Sequence, residues 1–239
     1  MVQASISPNL FSGLWRCLRW SACLLALGVL SSPALPTQRA DGPATLTYTK
    51  VMKGSLPEFT SVTVDQNGDG TYDGRQLNEP PKPRALKLSA ETTETLFQMA
   101  GALDDFHSLK LESKKNVANL GMKTFIYRHD GQENKVQFNY TGNKRAQDLT
   151  AVFEGIADVE QHIGTLEYSS RYDVLGLPSV LTRIEIDLDN KELVDPELMV
   201  PILKKIAGDS QYLHIAQVRA KDIIRRIQDG YTSNKAGHR

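Results

Sequence analysis

The chain has 239 residues, of which 40% are apolar and 23% charged, the composition of an ordinary globular protein of one or two domains. Its 28 basic and 28 acidic residues cancel, so the composition builds in no general attraction for nucleic acid or anionic lipid. Beyond the N-terminal segment, no apolar run reaches the ~20 residues that a membrane-spanning helix needs.

The first residues read as a secretory signal peptide. Arg16 and Arg19 flank an apolar run from Trp20 to Leu30, and Ser31-Ser32-Pro33-Ala34 follows with small residues at the exit. Cleavage is predicted after Ala34, with Ala40 as second choice. An uncleaved anchor is the alternative, but the run is too short to span a bilayer at ~1.5 Å per residue. Cleavage removes both cysteines, Cys17 and Cys23, and with them any disulfide or thiolate site. It also removes two cations, leaving 26 basic against 28 acidic residues and a net charge of −2. The expectation is a periplasmic or secreted protein whose mature form has no transmembrane segment.

Residues 35–43 are proline-rich and polar, a spacer. "TLTYTKVM" (45–52) then alternates as a strand, "FTSVTVD" resumes as a second, and Thr71 to Arg75 makes a short third. "NEPPKP" (78–83) is a rigid loop, because consecutive prolines cannot continue a central strand. "RALKLS" gives a fourth strand. Ser89 is a helix N-cap with Glu91 in the first turn, and Leu96, Met99, Ala100 and Leu103 form the apolar face. After a polar loop (113–121), "KTFIYRHDGQENKVQFNYT" places two strands around Asp130-Gly131, a tight-turn pair. Asn143 caps a helix with the stripe Leu149, Val152, Phe153, Ile156 and Ile163.

The remainder reads as helical. Leu177, Leu181, Ile184 and Leu188 form one stripe. Asp195-Pro196 reads as an N-cap and first helical residue, followed by Met199, Ile202, Leu203 and Ile206, with Pro201 kinking or delaying the helix and Gly208 ending it. The last helix is expected to bury Leu213, Ala216, Ala220, Ile223, Ile224 and Ile227. The predicted fold class is therefore α+β. Residues 44–166 form a mostly antiparallel sheet of five or six strands with two helices on one face, 167–229 form a three-helix region, and 230–239 form a frayed tail.

One stretch is spelled like the start of a calcium loop: Asp65-x-Asn67-x-Asp69-Gly70, with Asp73 at position nine. Position twelve is Gln76, a neutral residue where a bidentate glutamate belongs, and both flanks are strand-like. Asn-Gly-Asp-Gly is also strong turn chemistry. A hairpin turn is the reading, with no cofactor expected. A weak calcium site on Asp65, Asn67, Asp69 and Asp73 is the alternative.

No histidine lies in a zinc-binding pair, and no serine elbow, Ser-x-x-Lys, phosphate loop or dinucleotide fingerprint occurs. Asp104-Asp105-Phe106-His107 is the best titratable cluster, so His107 and Asp105 are the candidates for an exported hydrolase; the plain alternative is a helix end followed by a turn. Tyr168, Arg171 and Tyr172 lie at helical spacing and are of types favoured at binding hot spots, unless they cover the seam between the two regions. Asn139-Tyr140-Thr141 spells a glycosylation sequon inside a strand.

"SVTVDQNGDGTYDG", "LSAETTETLFQMAGAL" and "KTFIYRHDGQENKVQFN" resemble small secreted bacterial domains of unknown function, built as a hairpin with Tyr-x-Gly, a helix, a second hairpin and a helix. The resemblance implies a bacterial envelope or secreted setting and lends no catalytic residues. The expected function is that of a non-enzymatic module binding an unknown envelope protein or ligand.

Overall fold

The computed structural model describes residues 42–231. The predicted signal peptide, most of the predicted spacer and the end of the predicted tail lie outside them. The class is α+β, with a six-stranded, wholly antiparallel sheet and five α-helices among the described residues. The strands are β1 (Thr45–Val51), β2 (Phe59–Asp65), β3 (Asp69–Arg75), β4 (Arg84–Lys87), β5 (Met122–His129) and β6 (Gln132–Phe138). Their order across the sheet is β4-β3-β2-β1-β5-β6.

The register lines up one row across all six strands: Arg84, Tyr72, Val62, Tyr48, Phe125 and Val136. Side chains of a row share a face, so this row meets the helices packed on that side. Two of those helices are α1 (Ala90–Gly101) and α2 (Lys144–Tyr172). Ser89 and Asn143 cap them as expected, accepting from the amides of Thr92 and Ala146. Tyr48 stacks on Phe153 at 5.2 Å and Phe106 on Phe125 at 5.2 Å, in a core shared with Leu96, Leu149 and Ile156. Leu103 joins that core from just beyond the helix end.

The rest of the chain forms α3 (Leu177–Asp189), α4 (Val200–Gly208) and α5 (His214–Gln228). Their stripes meet in a second core with Leu177, Leu181, Leu203, Ala220 and Ile223 fully buried. Helix α2 runs unbroken through residue 166 and serves both cores, giving Val152, Phe153 and Ile156 to the first and Val159 and Leu166 to the second.

Three local expectations need correction. Asp195 does not cap its own helix: it sits at φ 54° and makes no capping bond there, because its carboxylate turns to α1. The delay expected from Pro201 is present: a 3-10 turn over Pro196–Met199 precedes α4, and Pro201 falls in its first turn, where its missing N–H costs nothing. Leu213 is 41% exposed, since it stands at the N-cap of α5 with extended backbone, outside the helical period. Of the residues expected to form a frayed tail, Tyr231 is packed on the helical region, and its hydroxyl accepts from the amide of Leu193 at 3.0 Å.

Candidate functional site

The row that organises the sheet ends at Arg84 on the edge strand, and from there the guanidinium reaches α2. Its Nη2 donates to the Glu160 carboxylate at 2.7 Å and to the Glu160 carbonyl; Nη1 lies 3.5 Å from the Glu167 carboxylate. Glu160 is buried, and that burial pushes its carboxyl above the usual range, while Arg84 beside it pulls the other way. The Arg84 guanidinium stands 5.7 Å from the centre of the Tyr72 ring, a cation–π distance. Burial raises the Tyr72 phenol to about 12.

Tyr72 explains the glycine two residues on. A Cβ at Gly74 would lie 2.2 Å from the Tyr72 hydroxyl, so the phenol can lie along its own strand only over a glycine. The Tyr-x-Gly spelling of β3 is thus a cradle for one aromatic ring. The strand also contributes Arg75, which packs over Phe59 at 4.5 Å and holds Asp73 at 3.0 Å and the Glu79 carbonyl at 2.9 Å.

Tyr72, Gly74, Arg75, Arg84 and Glu160 line a groove of about 850 Å³. One wall is the connection between β3 and β4, with Glu79, Pro80, Pro81 and Lys82; another is Leu56-Pro57 from the connection between β1 and β2; α2 supplies Gln161, Gly164, Thr165 and Tyr168. The Glu58 carboxylate ties the two loops together by accepting from the amides of Gly54 at 2.8 Å and Leu77 at 3.3 Å, bonds that hold it below the usual carboxylate range. The walls are therefore braced by prolines and by one carboxylate shared between them.

Tyr168 lines this groove and is 62% exposed; Tyr172, one turn on, is 73% exposed, with the two rings 5.3 Å apart. They do not cover a seam. Arg171 points to another flank, where it lines a cleft of about 380 Å³ with Pro201, Ile202 and Lys205. The structure thus joins the two tyrosines and separates the arginine from the groove.

The acidic residues of the calcium-like stretch each have a partner within the protein. The Asp65 carboxylate accepts from the amides of Asn67 at 2.8 Å and Asp69 at 3.0 Å, closing the turn. Asp69 pairs with Lys87 at 3.0 Å, and Asp73 with Arg75. The Asn67 carbonyl accepts from Lys87 at 3.0 Å. Gly68 carries the positive φ, at 83°. Gly70 is required for a different reason: a Cβ there would lie 2.0 Å from the Thr63 carbonyl oxygen.

The Asp104–His107 cluster is a left-handed turn, with φ of 54°, 46° and 66° at Asp104, Asp105 and Phe106. Burial raises the Asp105 carboxyl, helped by Asp104 and opposed by His129. His107 is exposed, and no hydrogen bond or ion pair among the described residues joins it to Asp105. Instead the structure brings together a pair that the sequence reading did not single out. His162 Nε2 and Asp187 Oδ2 lie 2.8 Å apart across α2 and α3, each side chain 12% exposed, and Arg183 approaches the other carboxylate oxygen at 3.4 Å. They line a cleft of about 480 Å³ with Asp158, Thr165 and Ser179. The available signal was position: His162 adjoins Ile163 and Asp187 adjoins Leu188, so each stands beside an apolar stripe where two helices meet. The Asn139 side-chain amide of the sequon donates to the Ala118 carbonyl at 3.0 Å.

No helix among the described residues is long and apolar enough to cross a membrane. No protein-family profile and no curated protein sequence matches the chain.

Proposed function

We propose that the chain is an exported, non-enzymatic binding protein that holds an extended segment of an envelope partner in the groove above Arg84. The observation that carries this reading is the combination of braced, proline-lined walls with a fixed cation and exposed apolar groups. Leu56 is 82% exposed and Tyr168 62%, and both line the groove beside Arg84. Large apolar and aromatic groups held at a concave surface bind at low ordering cost, because the braced loop and the helix that carry them are already fixed. Export is supported by the pattern of residues 1–34. The test is retention of a partner from an envelope extract on the immobilised chain, compared with the double variant Leu56→Ser/Tyr168→Ala. A stoichiometric partner held by the unmodified chain and released by the variant is expected. Equal retention by both removes the groove from the proposal; no partner from any envelope fraction removes binding altogether.

A second reading, an exported hydrolase, draws on the His162–Asp187 distance of 2.8 Å within a cleft. Asp187 would orient the imidazole, and His162 would serve as general base. A screen of ester, glycoside and peptide substrates, with and without added divalent metal, decides it. Turnover abolished in His162→Ala supports the reading; no turnover, or turnover indifferent to that change, ends it.

A further inference from the structure

We infer that two copies of the chain associate through β6, with the two β6 strands antiparallel about a two-fold axis at Asn134. Strand β6 forms the edge of the sheet opposite β4. The two-residue turn Asp130-Gly131 has both φ values positive, 50° and 75°, so His129 and Gln132 are the hydrogen-bonded pair beside it. Bonding then alternates. Asn134, Val136 and Phe138 exchange bonds with β5, while Glu133, Lys135 and Gln137 direct their backbone N–H and C=O groups outward. Asn139 keeps the alternation, and its outward N–H donates to the Glu112 carboxylate at 2.6 Å. That bond covers the edge at Asn139. Among the described residues, none comparable covers Glu133, Lys135 or Gln137, whose side chains are all exposed.

An uncovered strand edge invites another strand, and lysine on the edge is a common way of discouraging it. Here the lysine selects a register. Pairing centred on Lys135 would set lysine against lysine, and pairing centred on Glu133 would set glutamate against glutamate. Pairing centred on Asn134 sets Glu133 opposite Lys135 twice. Both are outward-bonding positions, so each pair also exchanges both backbone bonds. Glu133 already holds Arg128 at 2.7 Å on its own chain, and the partner's Lys135 would extend that contact into a three-charge ladder. The edge is complementary to itself in one antiparallel register, and this commits the occupant to a second copy of the chain.

Sedimentation velocity over a concentration series of the purified chain tests the inference. The unmodified chain is expected to pass from monomer to dimer as concentration rises. Glu133→Lys and Lys135→Glu each create two like-charge pairs and should each weaken the dimer by roughly tenfold or more. An equimolar mixture of the two variants restores opposite charges at both pairs and should dimerise again as a heterodimer. Circular dichroism checks that each variant is folded. A chain that stays monomeric throughout the series, single variants that dimerise like the parent, or a mixture that fails to recover dimer would each overturn the inference.

Discussion

Asp195, at the start of the 3-10 turn before α4, caps a helix more than a hundred residues earlier: its carboxylate accepts from the Ser89 amide at 2.7 Å and the Ser89 hydroxyl at 2.9 Å. It also accepts from the Thr92 hydroxyl. Ser89 thus caps α1 while being held by an acid from the helical half, and a negative charge near that N-terminus suits the helix dipole. Asp195→Ala is expected to destabilise the protein by about 1.5–3 kcal/mol, the range for bonds to a charged acceptor, with a smaller loss for Asp195→Asn, which keeps one acceptor oxygen. Equilibrium urea unfolding reads the difference; equal stability of all three proteins would show that the contact contributes nothing.

Arg84 and Glu160 give a pH-dependent expectation. Breaking the pair from the arginine side strands a buried acid, so Arg84→Met should cost about 3 kcal/mol at neutral pH. The folded-state carboxyl of Glu160 is already raised by burial, and removing Arg84 takes away its chief lowering influence. A raised acid favours the folded state below its unfolded-state value and loses that advantage as pH rises through the folded-state value. The penalty of Arg84→Met should therefore shrink on acidification. It should also shrink at neutral pH when Glu160→Gln is added. A penalty that is flat with pH would show that Glu160 is not the group left stranded.

Two glycines should respond oppositely to alanine. A Cβ at Gly70 meets the Thr63 carbonyl oxygen at 2.0 Å, so Gly70→Ala must push β2 and β3 apart and should cost more than about 2 kcal/mol. Gly101 ends α1 facing open space, so Gly101→Ala should stabilise by up to about 1 kcal/mol. Thermal unfolding of the two variants gives both signs in one experiment.

The Asp65 turn gives a metal test. Because Asp65 spends its carboxylate on the amides of Asn67 and Asp69, Asp65→Ala should lose about 1 kcal/mol whether or not calcium is present. Millimolar calcium is expected to leave the melting temperature of the unmodified chain unchanged. A rise of several degrees that disappears in Asp69→Ala would establish the ion site instead.

Much of the architecture is legible because it is local. Alternation gives the strands, Asp130-Gly131 gives the second hairpin, Ser89 and Asn143 mark helix starts, and stripes such as Leu177–Leu181–Ile184–Leu188 give buried faces. What escapes is who stands across from whom. Periodicity assigns Asp195 to a cap, since Asp-Pro is a sound local signal, but says nothing of a partner in another part of the chain. His162 and Asp187 are equally silent, for each looks polar and exposed until α2 and α3 are laid side by side. The groove is invisible for the same reason: the loop around Pro57, the loop around Pro80 that runs into the edge residue Arg84, and the α2 residue Glu160 come from three separate segments.

Helix α2 carries a last consequence. A single continuous rod lends its earlier turns to the sheet core and its later turns to the helical core, with Val152 and Phe153 in the first stretch and Val159 and Leu166 further along. Neither half, cut away near residue 166, would take a complete surface with it. The pair is thus poorly suited to recombination as exchangeable cassettes, and a lineage carrying this architecture should gain or lose both halves together.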